Sequence, residues 1–221
     1  EGSKVARLSS QNAAGGTPAY MAPEMAVGDG KKIGFRSDVY LLGAILYEII
    51  TGKRPHKGKD LMGVLYTIAT NQIEPTEKTG ELVDIALKAM STQPADRYAG
   101  VKEFQAAIRS SQKHFESIAL SDAAQEHFER AQKTLKYDDF TQALSGYQQA
   151  LSLWDGNVAA QNGLLETRRA YGECAIAKDD FDLAASLIEP ARDLLASLWK
   201  RLQELVRLRQ ARRRRLQVLT Y

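Results

Sequence analysis

Cysteine is nearly missing from this 221-residue chain: Cys174 stands alone, so no disulfide framework forms within it and a reducing compartment is the natural setting. Histidine is almost as scarce. His56, His114 and His127 lie far apart without cysteine partners, which removes any readable zinc site. No apolar run is long: the best, Tyr40 to Ile50, has 11 residues and includes Glu48, too few to span a bilayer. Nothing at the start resembles a signal peptide. No convincing period-two strand pattern occurs. The expectation is a soluble, intracellular, all-α chain, with 44% hydrophobic and 26% charged residues supplying an ordinary core and surface.

Charge of one sign is also nearly balanced overall, at +3, but not evenly spread. Lys200 to Arg215 carries eight basic residues against Glu204 alone, a net of +7 that leaves the remainder at −4. A mildly acidic body therefore ends in a strongly basic segment.

Three zones follow from punctuation and period. Glu1 to Gly34 is rich in Gly, Ser, Ala and Pro and reads as loop. From Ser37 to about Ser111, helical patterns alternate with Gly and Pro. Ser37-Asp38 is a plausible N-cap for a helix ending near Thr51-Gly52. Its apolar run predicts a helix buried on every side. Leu61 to Ala69, Glu81 to Met90 and Val101 to Arg109 read as further helices. The third zone, from Asp122, holds an internal repeat: Asp138-Asp139-Phe140-Thr141-Gln142-Ala143 recurs as Asp179-Asp180-Phe181-Asp182-Leu183-Ala184, an offset of 41. Ala131 and Gly172, then Ala150 and Ala191, are small residues at matching places, which would let antiparallel helices approach closely. Phe140 and Phe181 would plug the gap near each turn. Pro190 should end or kink the last of these helices at about Glu189. Beyond it, Leu195, Leu198, Leu202, Leu205, Arg209, Arg212, Leu216 and Leu219 keep a 3-4 spacing, fitting either a coiled-coil seam or a helix capping the repeats.

The pattern resembles the tetratricopeptide repeat, although the usual period of 34 is exceeded by 7, a surplus that fits the Trp154 to Asn162 connection. An ordinary pair of helical hairpins is the plainer alternative. Two repeats cannot bury a continuous core alone and should dock onto something.

Chemistry concentrates in three motifs: Gly16 to Glu24 (GTPAYMAPE), Ser37 to Gly43 (SDVYLLG) and Pro94 to Tyr98 (PADRY). In this order and spacing they resemble the C-terminal lobe of a eukaryotic-like Ser/Thr protein kinase, from the activation segment to the last helices. With the repeats behind it, the chain resembles bacterial kinases of that class. The resemblance implies a truncated kinase lobe over 1–111, repeat-like hairpins over 112–195 and a basic amphipathic helix over 196–221. It implies structural roles for Pro23, Glu24, Asp38, Gly43 and Arg97: Glu24 pairs with Arg97, Asp38 bonds the catalytic loop, and Gly43 permits close packing. A buried pair loses about 3–5 kcal/mol when one partner goes, a surface pair at most ~1 kcal/mol. Thr17 and Tyr20 would lie in the substrate-docking loop. Ser9 and Ser10 would be phosphorylation sites of the activation segment, a solvated Ser-Ser pair being the alternative.

The machinery of phosphoryl transfer is missing. A Gly-rich phosphate loop, a strand lysine, a His-Arg-Asp loop and Asp-Phe-Gly are all absent; Gly2-Ser3-Lys4 stands where Asp-Phe-Gly would precede Val5-Ala6-Arg7. No catalytic, cofactor-binding or metal residue is therefore assigned, and the chain alone should not phosphorylate anything. ATP and Mg2+ are expected only for a parent kinase. A fragment of such a kinase and a non-catalytic scaffold remain as competing readings. Expected partners are protein substrates, a protein or peptide on the repeats, and a missing kinase half or a second copy covering the apolar helix. The basic segment suits an anionic membrane surface beside an anchor in the inner membrane, with this region on the cytoplasmic side. No aromatic platform interleaves with its arginines, so nucleic acid fits less well.

Overall fold

A computed structural model describes residues 18–219, with side chains described through Arg212. The described residues form α-helices and short 3-10 turns, with no strand among them, and the fold is all-α. The chain divides into two compact units, residues 1–111 and 112–221.

In the first unit a 3-10 turn at Pro18–Tyr20 leads into α1 (Pro23–Ala26), which Pro23 opens at a position where its missing N–H costs nothing. α2 (Phe35–Thr51) follows. Gly34, not Ser37, is its cap: the helix starts three residues upstream of the expected place, and Ser37 in the first turn accepts a hydrogen bond from the Gly34 N–H at 3.2 Å. Gly52, at φ 69°, ends α2 in the left-handed conformation that glycine adopts without penalty. α3 (Leu61–Ala69) is capped by Asp60, whose carboxylate accepts from the Gly63 N–H at 2.8 Å. α4 (Glu81–Ala89) packs against α2. Their approach depends on Gly43, where a Cβ would lie 2.6 Å from the Cβ of Ala89.

Two apolar clusters share α2. One gathers Ala22, Tyr40, Ala44, Tyr47, Ala86 and Met90; the other gathers Val39, Ile85, Ala89, Tyr98 and Phe104. α2 is nevertheless not buried on every side. Ile45 is 48% exposed and Ile49, one turn on, 74% exposed. Its small and aromatic residues face the packed side, while this aliphatic stripe faces outward.

α5 (Val101–Thr134) runs much further than the sequence pattern of Val101 to Arg109 suggested. Residues 110–121 contain neither glycine nor proline, so nothing interrupts the backbone bonding. The end of α5 contributes to the second unit, together with α6 (Tyr137–Leu153), α7 (Val158–Ala177), α8 (Phe181–Ile188) and α9 (Ala196–Leu219).

Small residues set the helix spacing here. A Cβ at Gly146 would lie 2.8 Å from that of Ala124, and one at Gly163 would lie 2.2 Å from the ring of Tyr147. Ala131, Ala143, Ala150 and Ala184 are fully buried. The connection between α6 and α7 is only Trp154 to Asn157, so residues 158–162 are already helical. The stretch Trp154 to Asn162, expected as a connection, is therefore mainly helix rather than loop. Asn157 sets that boundary: its side chain accepts from the Ala160 N–H at 3.0 Å and donates to Ser117 Oγ at 2.9 Å.

The two repeated segments do not have the same turn register. Phe140 is the fourth residue of α6 and Phe181 the first of α8. Phe140 is buried and stacks on Tyr171 with centroids 4.9 Å apart, whereas Phe181 is half-buried beneath the Arg209 guanidinium at 5.2 Å. Only the first phenylalanine plugs the interior. Pro190 lies in a 3-10 turn, Glu189–Ala191, that ends α8 at Ile188. Leu195, Leu198 and Leu202 then pack on Ala175, Ile176, Ala184 and Ile188, so α9 opens as a helix capping α7 and α8. Among the described residues no helix is long and apolar enough to cross a membrane, and no group of side chains is arranged to hold a metal ion.

Candidate functional site: a buried carboxylate–guanidinium anchor

The first unit is tied together around Glu24. Glu24 and Arg97 are each only 4% exposed, although 73 residues separate them. Their contact is bidentate: Arg97 Nη1 donates to Oε1 at 2.7 Å and Nη2 to Oε2 at 2.8 Å. Ser37 Oγ donates to Oε1 at 2.6 Å. The rest of the guanidinium is also satisfied. Nε donates to the Ser91 carbonyl at 2.8 Å, Nη1 to the Arg36 carbonyl at 3.0 Å and Nη2 to the Thr92 carbonyl at 3.3 Å. All five donors of the fork are used, and its face lies 4.8 Å from the centre of the Tyr40 ring.

A buried ion pair is stable only when desolvation is offset by geometry and further hydrogen bonds, and both are present here. Burial pushes the Glu24 carboxyl up, but the Arg97 and Ser37 hydrogen bonds to its ionised form outweigh burial and hold it below its ordinary value. Mechanically, one residue of α1 is clamped to the first turn of α2 and to the segment after α4. The anchor thereby holds α1 in place against α2.

The other expected residues divide clearly. Tyr20 donates to the Glu48 carboxylate on α2, and that bond, with burial second, raises its hydroxyl above its ordinary value. Pro23 is the first residue of α1 and is buried. Gly43 makes the close contact with α4. Asp38, by contrast, lies exposed in the first turn of α2 and is not part of the anchor. Thr17, Ser9 and Ser10 lie outside the described residues. Two participants are not legible as such from sequence: Ser37, whose place suggests a cap, and Tyr40, whose place suggests core. The motif SDVY contains both, but which hydroxyl meets the carboxylate depends on helix phase, which a cap placed three residues late gets wrong.

A family model described as the protein kinase domain matches residues 2–133, more than half of the sequence, and the chain belongs to that family. Among its curated relatives is a probable serine/threonine-protein kinase of Corynebacterium efficiens, 35% identical over 126 residues, which are 52% of this chain and 18% of the relative. The serine/threonine-protein kinases PknB of Mycobacterium tuberculosis and Mycobacterium leprae are 36% and 40% identical over 96 residues, 41% of this chain and 15% of each relative. The chain thus spans less than a fifth of the length of these relatives.

Proposed function

We propose that this chain is the C-lobe portion of a bacterial Ser/Thr protein kinase followed by a tetratricopeptide-like interaction region. The observation that carries the reading is the fully satisfied Glu24–Arg97 anchor at the end of the GTPAYMAPE segment. In the parent, ATP and Mg2+ would be held by groups this sequence lacks, and phosphate would pass to protein Ser or Thr hydroxyls. Thr17 and Tyr20 would shape the substrate-docking loop, Asp38 would meet the catalytic loop, and Ser9 and Ser10 would accept activating phosphate. A phosphate there adds about −1.5 to −2 charge to the segment the anchor holds.

The exposed Ile45–Ile49 stripe supports a covering partner, either the remaining half of the kinase domain or a second copy. The hairpins of α5 to α8 would take a protein or peptide. The exposed basic face of α9, with Lys200, Arg201, Arg207 and Arg212, would meet anionic lipid on the cytoplasmic side of a membrane. An RNA or DNA partner would instead show steep salt dependence.

The test is phosphoryl transfer by the full-length gene product with Mg2+ and γ-labelled ATP, beside the 221-residue chain alone. Activity in the first, none in the second, and loss on Arg97→Ala support the proposal. A full-length product that neither binds ATP nor transfers phosphate leaves the non-catalytic scaffold.

A further inference from the structure

Next to the anchor, on the other side of Tyr40, lies a polar chain that is one proton short. His56 is 1% exposed. Its Nδ1 is 3.0 Å from the Gln72 carbonyl oxygen and its Nε2 is 2.7 Å from Tyr40 Oη. The same Oη is 2.6 Å from Asn71 Oδ1. The Asn71 amide is oriented by its nitrogen, which donates to the Met90 carbonyl at 3.0 Å and to Thr92 Oγ1 at 2.9 Å. Both ends of the chain are therefore acceptors, and its three links need three protons.

A neutral imidazole brings one proton and the tyrosine hydroxyl another. With Nδ1–H committed to Gln72, Tyr40 donates either to Nε2 or to Asn71, and the remaining pair of oxygen or nitrogen lone pairs is left facing. Turning the Asn71 amide over only moves the conflict to the Met90 carbonyl. An imidazolium resolves it, because Nε2–H then donates to Tyr40 and Tyr40 donates to Asn71.

We propose that His56 is a proton-operated latch on the end of α3. In the neutral state Tyr40 donates to Nε2, the stronger acceptor, and the Asn71 link is open. In the protonated state all three links close. Asn71 is well placed to transmit the change: at φ 48° it is the left-handed residue that terminates α3, and its N–H and that of Gln72 donate to the Ile68 and Thr67 carbonyls at 2.9 and 2.7 Å.

The surroundings set the pH range. Arg97 lies over the Tyr40 ring, but Glu24 neutralises it. On the loop that carries His56, Lys57 is paired with Glu74 at 3.4 Å and Arg54 with Glu48 at 3.9 Å. α3 has no charged residue, and α4 offers this site only the Met90 carbonyl at its end. Among the described residues, no carboxylate acts on His56 to favour the cation. Burial therefore lowers the His56 value, with the Gln72 carbonyl opposing, and the latch operates below the ordinary histidine range of about 6.5.

The experiment is NMR of the full 221-residue chain with labelled histidine and asparagine, titrated downward from pH 7.5. The expected result is an Nδ1–H tautomer at the start and a His56 midpoint below about 6.5. The Asn71 side-chain amide should shift with that same midpoint, and exchange of the Asn71 and Gln72 backbone amides should slow, after correction for intrinsic rates. In Tyr40→Phe, His56 should still titrate while Asn71 no longer follows. Asn71→Gly, compatible with the left-handed backbone, should lower the His56 midpoint because the third link is gone. An Nε2–H tautomer, an Asn71 signal indifferent to His56 protonation, or a His56 that stays neutral until the chain unfolds would each overturn the proposal.

Discussion

The two units bury their interiors by different means. In the first, long irregular segments separate the helices, and distant parts of the chain are joined by polar connectors: Glu24 to Arg97, Tyr40 to His56, and Tyr47 to the Glu74 carbonyl. In the second, helices lie closely against one another through alanine and glycine, with hydrogen bonds such as Asn157 to Ser117 and Tyr147 to Gln125 set between the packed faces. Connectors of the first kind concentrate stability in a few residues. Close packing of the second kind spreads it over many, because dispersion is individually small and additive.

The sharpest way to break this contrast is at Arg97. Arg97→Met leaves Glu24 buried and unpaired and should cost about 3–5 kcal/mol. Hydrogen exchange should show the loss in α2 and α4 first, with α6 and α7 nearly unaffected. The same anchor can be weakened reversibly with acid. The folded-state pKa of Glu24 is depressed, so its contribution is fully present above the unfolded value of about 4.3 and disappears as pH falls through the folded value. Denaturant midpoints between pH 6 and 3 should fall for the wild type, and this component should vanish in a Glu24→Gln chain.

Asn157→Ala removes a helix cap and strips Ser117 of a buried donor. A loss of about 0.5–2 kcal/mol is expected, read as faster exchange at the start of α7. The two packing glycines give a direct comparison. Gly43→Ala and Gly163→Ala each force a Cβ into occupied space, at about 1–3 kcal/mol of overpacking, from which improved helix propensity subtracts about 1 kcal/mol. Similar losses at both sites would show that close approach matters equally in the two units; a loss confined to Gly163 would sharpen the contrast. Smallest of all, Arg207→Gln with Arg212→Gln should change stability by less than about 0.5 kcal/mol, since both side chains are exposed. The same double substitution should weaken binding to phosphatidylserine vesicles if α9 meets anionic lipid.

Helical class was legible because period and punctuation are local properties. The absence of alternating runs excluded sheet, and Gly52 and Pro190 marked helix ends that the structure keeps within a residue or two. The kinase family was legible for a different reason: three short motifs in fixed order constrain one another, so their joint occurrence is specific where each alone is weak. The expected contact of Glu24 with Arg97 followed from that resemblance, and the two side chains do meet. No pattern within either motif would have found it.

Elsewhere the chain's neighbours in space overruled its neighbours in sequence. The apolar stretch from Tyr40 to Ile50 reads the same all round. Only the positions of α1, α4 and Tyr98 decide that Tyr40, Ala44 and Tyr47 go inside while Ile49 stays out. The repeat offset of 41 is a true sequence feature, yet Phe140 enters the interior and Phe181 does not, because α8 begins later relative to its motif than α6 does. Local periodicity, glycine, proline and motif order were enough for helical class, the ends of α2 and α8, and family, while the length of α5 and the start of α2 were not legible. Which hydroxyl meets Glu24, which face of α2 is covered and how many protons the His56 chain needs were settled only in three dimensions. Hydrogen bonding and desolvation depend on ångström-scale approach between residues as far as 73 positions apart, as Glu24 and Arg97 are.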